Sequence, residues 1–136
     1  MPITTTVESI AKKNIISVDE NATVHDAIFL MVEQNIGSVV VTSAGQPKGI
    51  ITERDLMRKV ILQGMDVKKA PAKEIMSTPL ITIVASAHIG EAATLMFEKK
   101  IRRLLVTKDG KIVGIFTQRD LEAAALDYFL AVSRMT

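Results

Sequence analysis

The 136-residue chain contains the stretch GIITERDL at residues 49–56 and a second copy, GIFTQRDL, at residues 114–121. The copies start 65 positions apart, since 114 − 49 = 65. The same spacing relates residues 17–56 to residues 82–121 without a gap. A repeat of roughly 60 residues is one supersecondary unit that buries too little surface to be stable alone. The sequence therefore predicts two similar halves that pack as one body.

Composition narrows the possible classes of protein. Residues classed as hydrophobic make up 48% of the chain and aromatic residues only 4%, so an aliphatic core is expected. The chain has no cysteine, which excludes disulfides, thiolate metal sites and a cysteine nucleophile. A net charge of +2 gives little support for a nucleic-acid partner. Because no apolar run resembles a signal peptide or a membrane span, we expect a cytoplasmic location.

Hydrophobic periodicity predicts the same order of elements in both halves: helix, strand, helix, strand, strand, helix. Apolar residues at i, i+3, i+4 and i+7 predict a helix beginning at Val24 and another beginning at Ile89. A final helix is predicted to begin at Thr52 and again at Thr117. The other predicted helices lie at 7–13 and 72–77, and the predicted strands lie at 15–18, 38–42, 49–51, 80–83, 104–107 and 112–116. The fold class is α/β (α+β), divided into repeat 1 (1–65), a linker (66–71) and repeat 2 (72–136).

A β-α-β-β-α unit that ends in G-h-h-T-x-x-D-L and is duplicated in tandem resembles the CBS domain pair, also called a Bateman module. The resemblance covers about residues 7 to 130. It implies repeats related by a pseudo-two-fold axis, with clefts between them that bind adenosine-containing ligands. AMP, ADP or ATP is the expected ligand, with S-adenosylmethionine and NAD(H) as alternatives, and no prosthetic group is expected. It further implies a homodimer, and a stand-alone, non-catalytic regulator that signals to a separate effector protein.

The motif supplies the chemistry that such a ligand requires. A carboxylate accepts two hydrogen bonds at once, and the cis hydroxyl groups of a ribose are two suitably spaced donors. Asp55 and Asp120 are therefore the first candidate ligand residues. Thr52 and Thr117 stand where a strand gives way to a helix, where free N–H groups and the helix dipole favour a phosphate.

The resemblance adds further candidates. Apolar residues and backbone of the first and third strands would hold adenine. Backbone of the second strand would complete the walls of each cleft. Arginines before that second strand and inside the motif would bind phosphate. The adenine set is Ile16, Ile50, Ile81 and Ile115, the wall set is Ser38, Val39, Arg103 and Leu104, and the phosphate set is Arg102, Arg103, Arg54 and Arg119. Since Arg102 and Arg103 correspond to Gly37 and Ser38 in the repeat, the two clefts are predicted to differ in their demand for phosphate.

Several alternatives stay open at this point. T-x-x-D is also a capping box, in which Thr52 and Asp55 would bond each other's backbone amides without any ligand. The arginines could be a solvated basic face, and the clefts could stay empty in a purely structural or dimerisation module. An enzyme is disfavoured because no nucleophile–base pair is evident. His25 and His88 lack metal-ligand spacing. Lys12 and Lys13 are predicted to be solvated, with a weak role in binding an anion as the alternative.

Overall fold

A computed structural model of the chain describes residues 5–135 and contains the helices and strands that the repeat predicts. The α-helices are α1 (Val7–Ile10), α2 (Val24–Glu33), α3 (Glu53–Asp55), α4 (Ile89–Lys99) and α5 (Gln118–Arg134). The strands are β1 (Ser17–Asp19), β2 (Ser38–Ser43), β3 (Gln46–Thr52), β4 (Thr82–Val84), β5 (Arg103–Lys108) and β6 (Lys111–Thr117). A π-helical segment, Leu56–Ile61, continues α3, and a 3-10 turn covers Ala72–Glu74.

The predicted elements are present with shifted ends, except that the helix predicted at 72–77 is only a 3-10 turn, Ala72–Glu74. β1 and β4 each begin two residues later than predicted, at Ser17 and Thr82. α1 ends at Ile10 instead of residue 13. The reason is that the chain after α1 turns extended, and Lys12 exchanges backbone hydrogen bonds of 3.0 and 2.9 Å with Ile115 of β6.

The chain divides into two compact units, each named here by its motif aspartate. The Asp55 unit is Ile15–Leu80, and the Asp120 unit is the described part of Met1–Asn14 together with Ile81–Thr136. The boundaries of the units therefore differ from those of the predicted repeats. The first segment of repeat 1 belongs to the Asp120 unit, and the first segment of repeat 2 belongs to the Asp55 unit. The N–H of Val7 donates to the carbonyl of Ala87 at 2.8 Å, within the Asp120 unit. Correspondingly, the N–H of Ala72 donates to the carbonyl of Ala22 at 2.7 Å, within the Asp55 unit.

Both units contain a three-stranded sheet with the same topology. In the Asp55 unit the strand order is β1-β2-β3, with β1 parallel and β3 antiparallel to β2. In the Asp120 unit β4-β5-β6 repeats this arrangement, including a register shift at the corresponding place. Ala44-Gly45 and Asp109-Gly110, all with positive φ, form the two hairpin turns. Positive φ at both turn residues matches the twist of the paired strands, so these turns set their register.

Each unit also has its own aliphatic core. In the Asp55 unit, Val24, Ala27 and Met31 of α2 pack against inward residues of the sheet such as Val41 and Ile51. The corresponding cluster of the Asp120 unit is built on Ile89, Ala92, Met96, Val106 and Phe116. The same i, i+3, i+7 spacing therefore buries the same face of α2 and α4. Each core fixes the end of the antiparallel hairpin from which the motif helix starts.

Candidate functional site

The motif of the Asp55 unit lies where β3 gives way to α3. Thr52 is the N-cap residue, and the N–H of Asp55 donates to its Oγ1 at 3.4 Å. In return, Oδ2 of Asp55 accepts from the N–H of Thr52 at 2.9 Å and from its hydroxyl at 3.2 Å. The capping box considered from the sequence is therefore present.

The motif of the Asp120 unit has the same geometry at the junction of β6 and α5. Oδ2 of Asp120 accepts from the N–H of Thr117 at 2.9 Å and from its hydroxyl at 3.0 Å. The N–H of Asp120 donates to Oγ1 of Thr117 at 3.2 Å. In both units the cap thus uses Oδ2 and leaves Oδ1 to other partners.

A third T-x-x-D, at Thr23 and Asp26, shows what a simple cap looks like in this chain. Thr23 and Asp26 bond each other's amides at 3.1 Å in both directions, and Asp26 is exposed. Asp55 and Asp120, in contrast, are only 5% and 4% exposed. Because capping a helix does not require burial of the carboxylate, something beyond the cap places the two motif aspartates in the interior.

Their second carboxylate oxygens bind residues that the sequence analysis missed. Oδ1 of Asp55 accepts from the hydroxyl of Ser77 at 2.8 Å and lies 3.1 Å from Nζ of Lys59. Oδ1 of Asp120 accepts from Nζ of Lys12 at 2.8 Å. Lys12 is thus largely solvated, as predicted, and it also contacts an anionic group of the chain itself. The repeat contained a signal for this contact, since Lys12 and Ser77 are 65 positions apart.

Residues at the start of the second strand lie beside each motif. Ser38 pairs with Thr52, and Arg103 pairs with Thr117 in the strand register. The carbonyl of Arg102 accepts from the first helical N–H of α5 at 2.9 Å, and the carbonyl of Gly37 does the same for α3 at 3.2 Å. The structure thus places both predicted arginines at the Asp120 motif, within one unit. Their counterparts at the Asp55 motif carry no charge.

The predicted adenine set is half-buried in both units: Ile16, Ile50, Ile81 and Ile115. The N–H groups of Ile50 and Ile115 already donate to the carbonyls of Ser77 and Lys12. These N–H groups are therefore engaged within each unit, and the expectation that apolar residues and backbone of the first and third strands hold adenine stays a prediction. The side chains of Val39 and Leu104 belong to the two cores, so they present only backbone to a ligand. Arg54 and Arg119 are exposed in the first turn of their helices.

The Asp120 unit also contains a cavity of about 220 Å³. Its lining is Glu8, Ala11, Lys13, Val106, Lys108, Val113 and Gly114. Lys108 stands at the hairpin end of β5, whereas Arg103, beside the motif, stands at the other end. The cavity therefore lies towards the hairpin end of the sheet, and within the motif stretch it is lined only by Gly114. Two of the lining residues form an ion pair, with Nζ of Lys108 3.1 Å from Oε2 of Glu8.

Two classes of site are not found in the described part of the chain. Residues 5–135 contain no group of three or more His, Asp or Glu side chains placed to hold a metal ion. The helices described there are all too short or too polar to cross a membrane.

Comparison with known proteins identifies the repeat. The family model described as "CBS domain" matches residues 7–62 and again residues 72–127. The CBS domain-containing protein YhcV of Bacillus subtilis is 32% identical over 122 residues, which are 90% of this chain and 86% of YhcV. The protein MK0525 of Methanopyrus kandleri is 40% identical over 117 residues, which are 85% of this chain. The chain spans only 60% of the length of MK0525.

Solved structures agree with this result. A protein of Burkholderia ambifaria, described as a signal-transduction protein with CBS domains, superposes with a TM-score of 0.86 at 36% identity. The superposition covers 90% of this chain and 95% of that protein. A hexameric CBS-CP12 protein from bloom-forming cyanobacteria superposes with a TM-score of 0.80 at 28% identity. That superposition covers 88% of this chain and 67% of the cyanobacterial one.

Proposed function

Because the chain belongs to the CBS-domain family, we propose that it is a non-catalytic regulatory module that binds an adenosine-containing ligand at its Thr-x-x-Asp motifs. AMP, ADP or ATP is the proposed ligand, with S-adenosylmethionine and NAD(H) as the alternatives to test. Ligand binding would alter a surface that a partner protein recognises. We place this activity in the cytoplasm and in a homodimer.

The difference between the three T-x-x-D boxes supports this proposal best. Asp26 caps a helix while exposed, whereas Asp55 and Asp120 are buried and direct Oδ1 towards a cation or a hydroxyl. A carboxylate oxygen that already receives such donors can receive the hydroxyl groups of a ribose in their place. A charged hydrogen bond of this kind is worth roughly 1.5–3 kcal/mol.

The phosphate end of the ligand has complementary groups. Each motif lies at a helix N-terminus, where the dipole favours an anion. At Asp120 the backbone of Arg102 and Arg103 lies beside that terminus, so we propose that their side chains meet the phosphate. Guanidinium forks match phosphate oxygens in geometry and charge. A nucleotide therefore suits this end of the Asp120 unit better than an uncharged nucleoside.

A thermal-shift screen with AMP, ADP, ATP, S-adenosylmethionine and NADH, followed by calorimetry on each compound that stabilises the chain, tests the proposal. Binding of at least one compound with a Kd in the micromolar range, and no turnover of ATP, is the expected result. If all five leave the melting temperature unchanged at millimolar concentration, the motifs are structural caps and the module acts through protein contacts alone.

A further inference from the structure

The two motif aspartates are held by different residues, although the sequence around them is a repeat. Ser77 binds Oδ1 of Asp55, and Lys12, at the corresponding position, binds Oδ1 of Asp120. The second donor at Asp55 is Lys59, whose corresponding residue is Ala124. The lysine that neutralises each aspartate thus comes from a different element: the segment after α1 at Asp120, and the motif helix at Asp55.

The two residues that contact Oδ1 of Asp55 are themselves held in place by further hydrogen bonds. Nζ of Lys59 lies 3.1 Å from Oδ1 and also donates to the carbonyl of Ile75 at 2.9 Å. Ser77 donates to the same oxygen while its backbone exchanges hydrogen bonds of 2.8 and 3.1 Å with Ile50. A ligand hydroxyl would have to compete with two donors that are both fixed by other bonds.

The contact at Asp120 is easier to replace. The side chain of Lys12 is 67% exposed, compared with 36% for Lys59. Water can solvate the ammonium group of Lys12 when it leaves the carboxylate, so releasing Lys12 costs less than releasing the more buried Lys59. Two ribose hydroxyl groups can therefore displace Lys12 at small cost. The released ammonium stays next to the site, since the backbone of Lys12 remains paired with Ile115.

The distribution of positively charged residues also favours ligand binding at the Asp120 motif. Lys12, Arg102 and Arg103 all lie at the Asp120 motif, whereas Ser77, Gly37 and Ser38 occupy the corresponding positions at the Asp55 motif. Displacement of Lys12 from the carboxylate makes its positive charge available to an anionic ligand. Binding of a nucleotide would then exchange one ion pair for another.

We propose that the two motifs have different roles: Asp120 is the ligand-binding motif, Lys12 is its displaceable cover, and Asp55 is held closed by Ser77 and Lys59. Lys12 also favours a ligand with a phosphate, because its ammonium group, once released from the carboxylate, can pair with that anion. The chain then binds one nucleotide where the repeat suggests two. This inference rests on the proposed binding of an adenosine-containing ligand.

Calorimetry with AMP and with adenosine on the full chain tests the inference. The wild type is expected to bind one AMP per chain, and Asp120→Asn is expected to weaken binding by roughly 10- to 150-fold, the equivalent of one charged hydrogen bond. Lys12→Met is expected to bind adenosine up to about fivefold more tightly, since the competing ion pair is gone. The same variant should lose most of the preference for AMP over adenosine.

Matched variants separate these effects from general damage. Lys12→Arg keeps the charge and should keep the preference for AMP, and Lys13→Met removes the adjacent lysine and should behave like the wild type. Lys59→Met combined with Ser77→Ala should open the second motif and raise the stoichiometry to two. Two equivalent AMP molecules on the wild type, or an unchanged AMP preference in Lys12→Met, would overturn the inference and leave the proposed function standing. If AMP, ADP, ATP, S-adenosylmethionine and NADH all fail to bind both the wild type and Lys12→Met while circular dichroism shows both folded, the proposed function itself fails, and this inference with it.

Discussion

The sulfur of Met76 lies 2.8 Å from the place that a Cβ atom would occupy at Gly49. At the corresponding Gly114, the nearest atom to such a Cβ is the backbone carbonyl oxygen of Lys12, at 2.9 Å. Both glycines open a motif stretch, and both let a neighbouring segment lie directly against the third strand. The two contacts differ in degree. At Gly49 the thioether can move aside, which leaves the backbone carbonyl oxygen of Ser77 at 3.0 Å, whereas at Gly114 the hydrogen-bonded carbonyl of Lys12 is itself the nearest atom.

This difference predicts unequal costs for the two substitutions to alanine. Gly114→Ala should lower the free energy of unfolding by about 1–3 kcal/mol, since the segment that carries Lys12 must shift. Gly49→Ala should cost less than Gly114→Ala, because Met76 can adopt another rotamer. Urea denaturation of both variants measures the two costs. Gly90→Ala is the control: it meets nothing within 4 Å in helix α4 and should be neutral or stabilising. Equal losses at Gly49 and Gly114 would contradict this account.

The three capping boxes give a second comparison. Asp26→Ala removes the exposed N3 partner of the N-cap residue Thr23 and should cost about 0.5–1 kcal/mol. Asp120→Ala removes a buried carboxylate together with its bonds to Thr117 and Lys12, so its cost should be about 2–3 kcal/mol. Denaturant melts of the two variants decide the point. Similar losses at both positions would mean that the burial of Asp120 adds nothing to stability.

The sequence was sufficient to predict the sheets and the motif helices. The 65-residue repeat and the alternation of strand and helix patterns are local signals, and hairpin turns such as Asp109-Gly110 have a local chemistry of their own. The family resemblance pointed to the Thr and Asp of each motif, and the structure confirms that each pair is in contact. Whether they bind a ligand remains a prediction.

The exchange of first segments could not be predicted from this sequence. Both copies of the segment carry similar apolar residues, so hydrophobic pattern does not say which sheet receives which copy. The sequence consequently predicted Lys12 to be one lysine of a solvated pair, because its partner Asp120 is 108 positions away in the chain. Lys59 was missed for a different reason: its i, i+4 relation to Asp55 is an ordinary surface pattern that becomes significant only once Asp55 is known to be buried.

The arginines beside the Asp120 motif lead to a prediction about ligand charge. Arg102→Ala combined with Arg103→Ala should weaken AMP by roughly 10-fold or more and leave adenosine nearly unchanged, because only AMP carries a phosphate. The AMP preference of the wild type should also shrink as salt is raised. Calorimetry at two salt concentrations measures both effects, with the exposed Arg134→Ala as the charge control. A double variant that retains the full AMP preference would show that these arginines are a solvated face.

Glu20 leads to a prediction about acid stability. The hydrogen bond from Ser43, followed by the hydrogen bond from Lys48, holds the pKa of Glu20 below its ordinary value of 4.5. A carboxyl with a depressed pKa in the folded state stabilises the fold above its unfolded-state pKa, and this contribution is lost as the pH falls through the folded-state pKa. Glu20→Gln should therefore flatten the fall in melting temperature below pH 4.5. The exposed Glu33→Gln serves as control, and an acid profile of Glu20→Gln identical to that of the wild type would refute the prediction.

Helix α5 carries apolar surface that a single chain leaves in water. Leu126 is 57% exposed, Phe129 68% and Leu130 45%, and the ring of Phe129 lies 6.1 Å from that of Tyr128. The segment matched by the family model ends at residue 127, so most of this surface lies on the part of α5 beyond it. A contiguous exposed apolar patch is typical of an interface. We expect a second copy of the chain to cover it.

Light scattering at micromolar concentration should then give the mass of a dimer for the wild type. Phe129→Glu should shift the mass towards the monomer, because a charge buried in a helix–helix interface is strongly unfavourable. Phe97→Glu is the matched control, since Phe97 is 84% exposed on α4 and an identical change there adds the same charge to the same unit. A monomeric wild type over the whole concentration range would contradict the expected homodimer. A dimer that survives Phe129→Glu but not Phe97→Glu would assign the interface to α4 instead of α5.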